Sequence, residues 1–351
     1  MLTLKLVEAG QWNLDEPLFH YWADPDVAHD PRHKKLTTRH VLTHQTGFKN
    51  WRWLNPDNKL TFDFEPGTNY QYSGEGFEYL RNALERKFNK GLEALLDAIV
   101  FKSLGMKNTQ YWSDNLDTAR FAFWHDANGN KYRGSYNTPV GAADDLLTTV
   151  EDYCKFGIEV MNGAGLSETL FNDMITPHVK MKEHYAKGLG WEIILDLPHG
   201  EYAVEHGGSD QGVKSIAVFL PKSKRGLVIL TNGDNGMFVY NNIIKESIDM
   251  GEKILEYMKG SVVRKAIVLP DEILNRYVGT YLDSYGRELF ITKEDSVLKI
   301  SGESIPTVNL YPEAKNKFFL KEFDVQFEFT EDNSLIITAD GKTEAPVKKI
   351  K

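Results

Sequence analysis

The hydrophobic pattern of this chain changes its period near Gly188, and that change separates regions of different secondary structure. Before it, apolar residues recur at helical spacing, as in the segment 77–88, where Phe77, Leu80, Leu84 and Phe88 fall on one face of a helix. After it, short β-branched and aromatic runs predict strands at 189–195, 202–205, 213–220 and 226–231, the last two joined as a hairpin. The first part of the chain is therefore predicted to combine helices with a sheet, in the α/β class.

The pattern changes again further along the chain. Apolar residues recur at helical spacing from 243 to 258, which predicts one helix after the strands. Residues 259–270 are predicted to be a linker. Beyond it, short alternating segments separated by turn residues predict a small all-β barrel at 271–351. The predicted organisation is a mixed domain at 1–258, the linker, and the C-terminal barrel.

Composition excludes several classes of protein. The formal net charge is −9 and both signs are interspersed, so no basic surface is available for a phosphate backbone and nucleic acid is not an expected partner. No apolar run is long enough to span a membrane. The single cysteine, Cys154, excludes an internal disulfide framework. Composition does not identify the cellular compartment, and it is compatible with an oligomer.

Five segments carry the motifs of one enzyme family. The three main ones are 36–47 (LTTRHVLTHQTG), 66–74 (PGTNYQYSG) and 205–209 (EHGGS), and 103–109 and 187–191 support them. In this order they resemble the penicillin-recognising serine hydrolases that include class C β-lactamases, D-Ala-D-Ala carboxypeptidases, D-aminopeptidases and related esterases. The resemblance implies a β-lactamase/transpeptidase-like antiparallel sheet with helices and an all-helical region. More faintly, the C-terminal domain resembles a lipocalin-like barrel.

The resemblance assigns roles to the residues of these motifs. Tyr72 is implied to be the proton relay, with its phenol partly ionised or strongly hydrogen-bonded by a cationic neighbour. His206 takes the place of the family's strand lysine, and Gly207 and Gly208 leave room for a ligand beside the strand. The N–H of Ser209 is expected to form half of the oxyanion hole. The implied substrate is a small molecule or peptide with an amide or ester bond, and no cofactor or metal is implied.

Two departures from the family pattern affect the expected activity. Gly74 stands where the family commonly has asparagine, which removes an amide that could bind the acyl side of a peptide or lactam and makes esters more credible substrates. The family's Ser-x-x-Lys nucleophile motif is spelled only at 296–299, in a predicted strand whose alternation places those two side chains on opposite faces. The chain is therefore expected to lack its nucleophile and to be inert as written.

The first ten residues bear on that expectation. Residues 1–9 predict half of a helix that ends at Gly10 but has no capping residue at its start. We expect that residues carrying the Ser-x-x-Lys motif are missing upstream. The alternative is a genuine N-terminal helix that is frayed.

Other interpretations exist for the histidines and for Tyr72. His40 and His44 have the helical spacing of a zinc pair, but no third ligand is evident and metal binding is not expected. Tyr72 and His206 could instead be ordinary packed residues, since tyrosine and histidine are common inside proteins. At the level of function, the alternative to an enzyme is a catalytically dead binding or regulatory protein that uses the same cleft.

Overall fold

The structure is a computed structural model that describes residues 1–114, 116–132, 140–259, 264–283, 286–303, 305–321, 323, 325–339 and 342–351. The chain divides into two compact units, which are described separately. The first contains residues 1–119, 134–206 and 217–228, and the second contains 120–133, 207–216 and 229–351.

The first unit contains helices before its sheet begins. They are α1 (Leu2–Glu8), α2 (Thr38–Leu42), α3 (Gly74–Phe88), α4 (Leu92–Leu96), α5 (Lys102–Leu104), α6 (Val150–Met161) and α7 (Glu168–Ile175), with a π-helical turn at Asp97–Phe101 between α4 and α5. Short 3₁₀ helices lie at Leu18–His20, Pro31–Lys35, Arg52–Leu54, Thr118–Arg120 and Pro198–Gly200. Hydroxyl groups cap the longer helices, since Ser73, Thr149 and Ser167 accept hydrogen bonds at the starts of α3, α6 and α7. Helix α1 ends where predicted, with Gly10 in the left-handed region at φ +65°.

A six-stranded sheet follows these helices. Its strands are hydrogen-bonded in chain order: β1 (Val179–Lys182), β2 (Tyr185–Lys187), β3 (Glu192–Leu197), β4 (Glu201–Asp210), β5 (Val213–Leu220) and β6 (Arg225–Thr231). The fold class predicted from the sequence is confirmed by this antiparallel sheet with helices. The strands β4, β5 and β6 each pass from one unit into the other, because 207–216 and 229–231 belong to the second.

The core of the first unit is apolar and well filled. It includes Leu18, Phe48, Tyr79, Phe219 and Val204, all nearly inaccessible to solvent. Tyr79 of α3 packs on Phe48 with ring centroids 5.8 Å apart. This core fixes α3 and the sheet, the two elements from which the candidate site is built.

The single helix predicted at 243–258 is wrong, because the structure has two helices there. They are α8 (Gly236–Ser247) and α9 (Gly251–Lys259). Ile248 has extended backbone angles, and a Cβ on Gly251 would lie 1.9 Å from the carbonyl oxygen of Ile244. The glycine therefore permits a close approach of the chain to the end of α8, which apolar periodicity does not reveal.

The C-terminal part of the second unit is a closed barrel of eight strands. A short helix, α10 (Asp271–Leu274), comes first. The barrel strands are β7 (Gly279–Leu282), β8 (Glu288–Glu294), β9 (Val297–Gly302), β10 (Val308–Pro312), β11 (Lys317–Phe319), β12 (Val325–Phe329), β13 (Ser334–Ala339) and β15 (Val347–Lys349), while β14 (Lys342–Thr343) extends the sheet beside β13. Pairing of β12 with β13, and of β15 with β7 and β13, closes the ring.

The barrel interior is filled by its own side chains, among them Tyr281, Leu298, Leu310, Phe318 and Phe327. The boundaries proposed for the linker and the two domains stay predictions, and residues 260–263 of that linker lie outside the described residues. In the described part of the chain, no helix has the length and apolarity needed to cross a membrane.

Candidate active site

The backbone that carries Tyr72 is fixed by the cap of α3. Ser73 is buried, its hydroxyl accepts a hydrogen bond from the Gly76 N–H at 3.0 Å, and it donates one to the Lys49 carbonyl oxygen at 2.9 Å. The side chain of Tyr72 remains 39% exposed. Part of the Tyr72 side chain is therefore accessible to a bound molecule, while its backbone is held by a rigid segment.

The imidazole of His44 packs against the ring of Tyr72. The two ring centroids are 4.2 Å apart and the planes differ by 25°. The Nδ1 atom of His44 accepts a hydrogen bond from the Ser73 N–H at 3.1 Å, which assigns the ring proton to Nε2. His44 therefore positions Tyr72 through both its ring and the Ser73 backbone.

In the sequence, His44 lies in the family segment 36–47 and has the spacing of a zinc pair with His40. The Nδ1 atom of His40 instead accepts a hydrogen bond from the Thr37 N–H at 3.3 Å, in the cap of α2. No cluster of three His, Cys, Asp or Glu side chains suited to a metal ion occurs among the residues that the structure describes.

We expect His44 to make the protein less stable as the pH falls below 6.5. Burial, followed by the charges of Lys187 and His206, lowers the pKa of His44 from 6.5 to about 2. Between these values the unfolded chain binds a proton that the folded protein does not, so this group removes about 2 kcal/mol of stability between pH 7 and pH 5.

Urea unfolding at the two pH values measures this loss. His44→Asn should show a smaller loss than the parent protein, because asparagine does not titrate and tolerates the left-handed backbone of residue 44, φ +54°. Equal losses in the two proteins would show that His44 does not carry the effect.

Lys187 and Glu192 form a buried ion pair where β2 turns into β3. They are register partners across this hairpin, and their side chains are hydrogen-bonded. The side chain of Lys187 is only 1% exposed, and its Nζ atom lies 5.4 Å from the centroid of the Tyr72 ring, within range of a cation–π contact. Desolvating an ion pair is costly, so its position beside Tyr72 points to a role at the site.

Glu192 also faces His206. Its Oε2 atom lies 3.9 Å from Nε2 of His206 and is buried without a hydrogen-bond partner in the described part of the chain. One carboxylate thus binds Lys187 through one oxygen and faces His206 with the other. The structure therefore brings Tyr72 and His206, the two catalytic residues predicted from the motifs, onto the same Lys187–Glu192 pair.

A second carboxyl group, Glu205, lies next to this pair in the sheet. It is the register partner of Glu192 and accepts a hydrogen bond from the Tyr185 hydroxyl. Burial and the neighbouring charge of Glu192 raise the pKa of Glu205 to about 8. Glu205 therefore holds its proton more tightly than an exposed glutamate does.

The phenol of Tyr72 has a raised pKa. Burial is the main cause that raises its pKa above the ordinary value of 10.0, and the negative charges of Glu192 and Asp144 add to it. The direction of this shift opposes ionisation, and the expectation of a phenol that is partly ionised or strongly hydrogen-bonded by a cationic neighbour stays a prediction. The ammonium of Lys187 lies over the face of the ring.

The predicted substrate-binding residues fall in different places. Gly207, Gly208 and Ser209 continue β4 into the second unit, where the Ser209 hydroxyl accepts a hydrogen bond from Lys214 Nζ at 2.8 Å. Gly74 is the first residue of α3, and its N–H donates to Asn50 Oδ1 at 2.8 Å. The roles assigned to these residues stay predictions.

The one Ser-x-x-Lys spelling lies in the barrel. Ser296 is in the turn between β8 and β9, with φ +61°, and the amine of Lys299 is paired with Glu294. A helix would place serine and lysine on one face, which this hairpin does not do. This pair therefore lacks the geometry of a serine activated by a neighbouring amine.

Comparisons with known proteins agree with the motifs. The profile of a family described as Beta-lactamase matches residues 1–246. The chain is 22% identical over 354 residues to penicillin-binding protein 4* of Bacillus subtilis (strain 168), covering 89% of this chain and 78% of that protein.

Solved structures share the fold. The octameric penicillin-binding protein homologue from Pyrococcus abyssi is 16% identical with a TM-score of 0.59, covering 99% of this chain and 84% of that one. The D-amino acid amidase from Ochrobactrum anthropi SV3, complexed with D-phenylalanine, is 20% identical with a TM-score of 0.53, covering 66% of this chain and 74% of that one.

The family match covers more than half of the chain and includes the segments that hold Tyr72 and His206. The chain therefore belongs to the β-lactamase family of penicillin-recognising serine hydrolases.

Proposed function

We propose that this protein acts as a serine hydrolase that cleaves an amide or an ester through an acyl-enzyme. The observation that carries the proposal is the convergence of Tyr72 and His206 on the buried Lys187–Glu192 pair. Buried charges of this kind are arranged at sites of chemistry more often than elsewhere, because they tune proton transfer. The family match supports the same reaction class.

In the proposed reaction, Tyr72 relays a proton without a lasting change of charge. As the serine oxygen bonds to the substrate carbonyl carbon, its proton passes to the Tyr72 oxygen, and the phenolic proton of Tyr72 passes to the leaving nitrogen or oxygen. The bond between that atom and the carbonyl carbon then breaks, which leaves the acyl-enzyme. The ammonium of Lys187 beside the ring stabilises negative charge that develops on the phenol during transfer. His206 offers its imidazole to the substrate, and the Ser209 N–H is the proposed oxyanion donor.

The proposed substrates are small amides, peptides or esters. The names of the similar proteins, a penicillin-binding protein and a D-amino acid amidase, support an amide substrate. Gly74 favours an ester, because it lacks the side-chain amide that would bind a peptide or lactam. An oligomer is proposed as well, on the likeness to the octameric homologue.

Covalent labelling tests the proposal. The complete product of the gene, with any in-frame residues that it encodes upstream of residue 1, and the polypeptide 1–351 are each treated with a fluorophosphonate probe and a fluorescent penicillin. We expect the complete product to be labelled on a serine and 1–351 to remain unlabelled, because its only Ser-x-x-Lys pair lies in the barrel hairpin. A complete product that is folded but unlabelled would contradict the enzymatic proposal.

The second candidate function is a binding or regulatory protein that uses the same cleft. The position of the only Ser-x-x-Lys pair in the barrel favours it. Its expected result is the opposite of the first: reversible binding of amide ligands by the complete product, with no covalent label.

A further inference from the structure

The segment 50–54 lies against the first turn of α3. This helix begins at Gly74, two residues after Tyr72 in the chain. The side chain of Asn50 accepts a hydrogen bond from the Gly74 N–H at 2.8 Å, and its carbonyl oxygen accepts one from the Glu75 N–H at 3.0 Å. The indole of Trp51 covers Gly74 so closely that a Cβ there would lie 2.8 to 3.1 Å from three of its ring atoms. Trp51 therefore fills the space that a side chain at position 74 would take.

The indole of Trp51 is stacked on a second tryptophan. The ring centroids of Trp51 and Trp53 are 4.7 Å apart and the planes differ by only 11°. Trp53 is 59% exposed, and its neighbour Leu54 is 52% exposed. The result is a flat aromatic surface, open to solvent at Trp53, whose inner ring covers Gly74.

Arg52, between the two tryptophans, fixes this surface. Its guanidinium binds both oxygens of Glu75, at 3.0 Å and 2.9 Å, and also Asp24 at 2.9 Å and Asp26 at 3.1 Å. Glu75 and Asp24 are buried, whereas Arg52 and Asp26 are partly exposed, so two of the three carboxylates that hold Arg52 are shielded from water. A rigid aromatic face loses little conformational entropy when a ligand binds, which is the property of a preformed binding site.

We propose that Trp51 and Trp53 form a subsite for an aromatic acyl group of the substrate. An asparagine at position 74 would offer the substrate a polar contact. The two tryptophans offer it a surface for stacking instead. Trp51 covers Gly74, which is two residues after Tyr72 in the chain, and this relates the ligand to the reacting bond. The choice of an acyl group thus rests on the proposed function, whereas the preference for an aromatic ring rests on the geometry alone.

Binding to the polypeptide 1–351 tests the subsite without requiring acylation. N-phenylacetylglycinamide and N-acetylglycinamide are titrated into the protein by calorimetry. We expect the phenylacetyl probe to bind about five- to tenfold more tightly, from stacking on Trp53. Trp53→Ala should remove this preference, and Phe290→Ala, which deletes an exposed barrel aromatic, should leave it unchanged.

Equal affinities for the two probes in the parent protein, or a preference that survives Trp53→Ala, would overturn the proposal. Tighter binding of betaine amide than of the phenylacetyl probe would also overturn it, because the surface would then select a cation. A complete gene product that resists covalent labelling while 1–351 keeps the aromatic preference would refute the hydrolase proposal alone. Labelling without the preference would refute the subsite alone.

A double-mutant cycle tests whether Trp51 occupies the space at position 74. Gly74→Asn should lower the melting temperature in the parent protein, because the new side chain displaces the indole. In a Trp51→Ala background the same substitution should have at most a small effect, and the aromatic preference should be lost. If the effects of Gly74→Asn and Trp51→Ala on the melting temperature are independent, the indole does not occupy the space of a side chain at position 74.

Discussion

Replacing Lys187 with methionine should lower the free energy of unfolding by about 3 to 5 kcal/mol, because it leaves the carboxylate of Glu192 buried without its partner. Lys187 is 1% exposed and Glu192 is 12% exposed, so water cannot take the place of the ammonium. Urea unfolding at pH 7 measures the change.

Two further variants separate the ion pair from simple packing. Lys187→Met combined with Glu192→Met should recover most of the lost stability, since removal of both charges leaves no buried charge unpaired. Lys253→Met, which removes an exposed ion pair with Glu256, should change stability by less than about 1 kcal/mol. A Lys187→Met variant as stable as Lys253→Met would show that Glu192 is not held as a buried charge.

Replacing Tyr72 with phenylalanine should slow acylation of the complete gene product by about 10² to 10⁴-fold, the usual contribution of a positioned proton-transfer group. Phenylalanine keeps the ring that stacks on His44, so stability should change little, and only the relay of the proton is lost. The measurement is the rate of labelling by the fluorophosphonate probe, with substrate turnover of a p-nitrophenyl ester as a second readout.

Tyr70→Phe is the matched control, because it removes a hydroxyl from the same extended segment. Tyr70 lies further from His44, with ring centroids 6.2 Å apart instead of 4.2 Å, and we assign it no proton transfer. It should label at close to the parent rate. If the two variants are slowed equally, the loss comes from packing of the segment, and Tyr72 is not the relay.

Part of this site was accessible from the sequence, because some of its determinants are local. Pro66-Gly67 and the run that ends at Ser73 identify the turn and the cap that present Tyr72, and two glycines after His206 identify an accessible strand. Each of these signals lies within a few residues of the group it predicts.

The sequence motifs did not identify Lys187 and Glu192 as members of the site, although one local pattern indicates their pairing. Lys187 and Glu192 flank the turn Gly188-Leu189-Gly190-Trp191 in otherwise apolar strands, and charges on both sides of a glycine-rich turn indicate a cross-strand ion pair. The contact of that pair with Tyr72 had no signal, because it joins segments far apart in the chain. The same applies to the indole of Trp51 over Gly74.

The sequence by itself determined the alternation of helical and strand regions, the barrel, and the identity of the family motifs, because periodicity and short motifs are properties of neighbouring residues. Only the tertiary structure decided the contact of Tyr72 with the Lys187–Glu192 pair and the position of the Trp51 indole over Gly74. These depend on burial and on the distance between segments that are remote in sequence, and no local pattern contains either quantity.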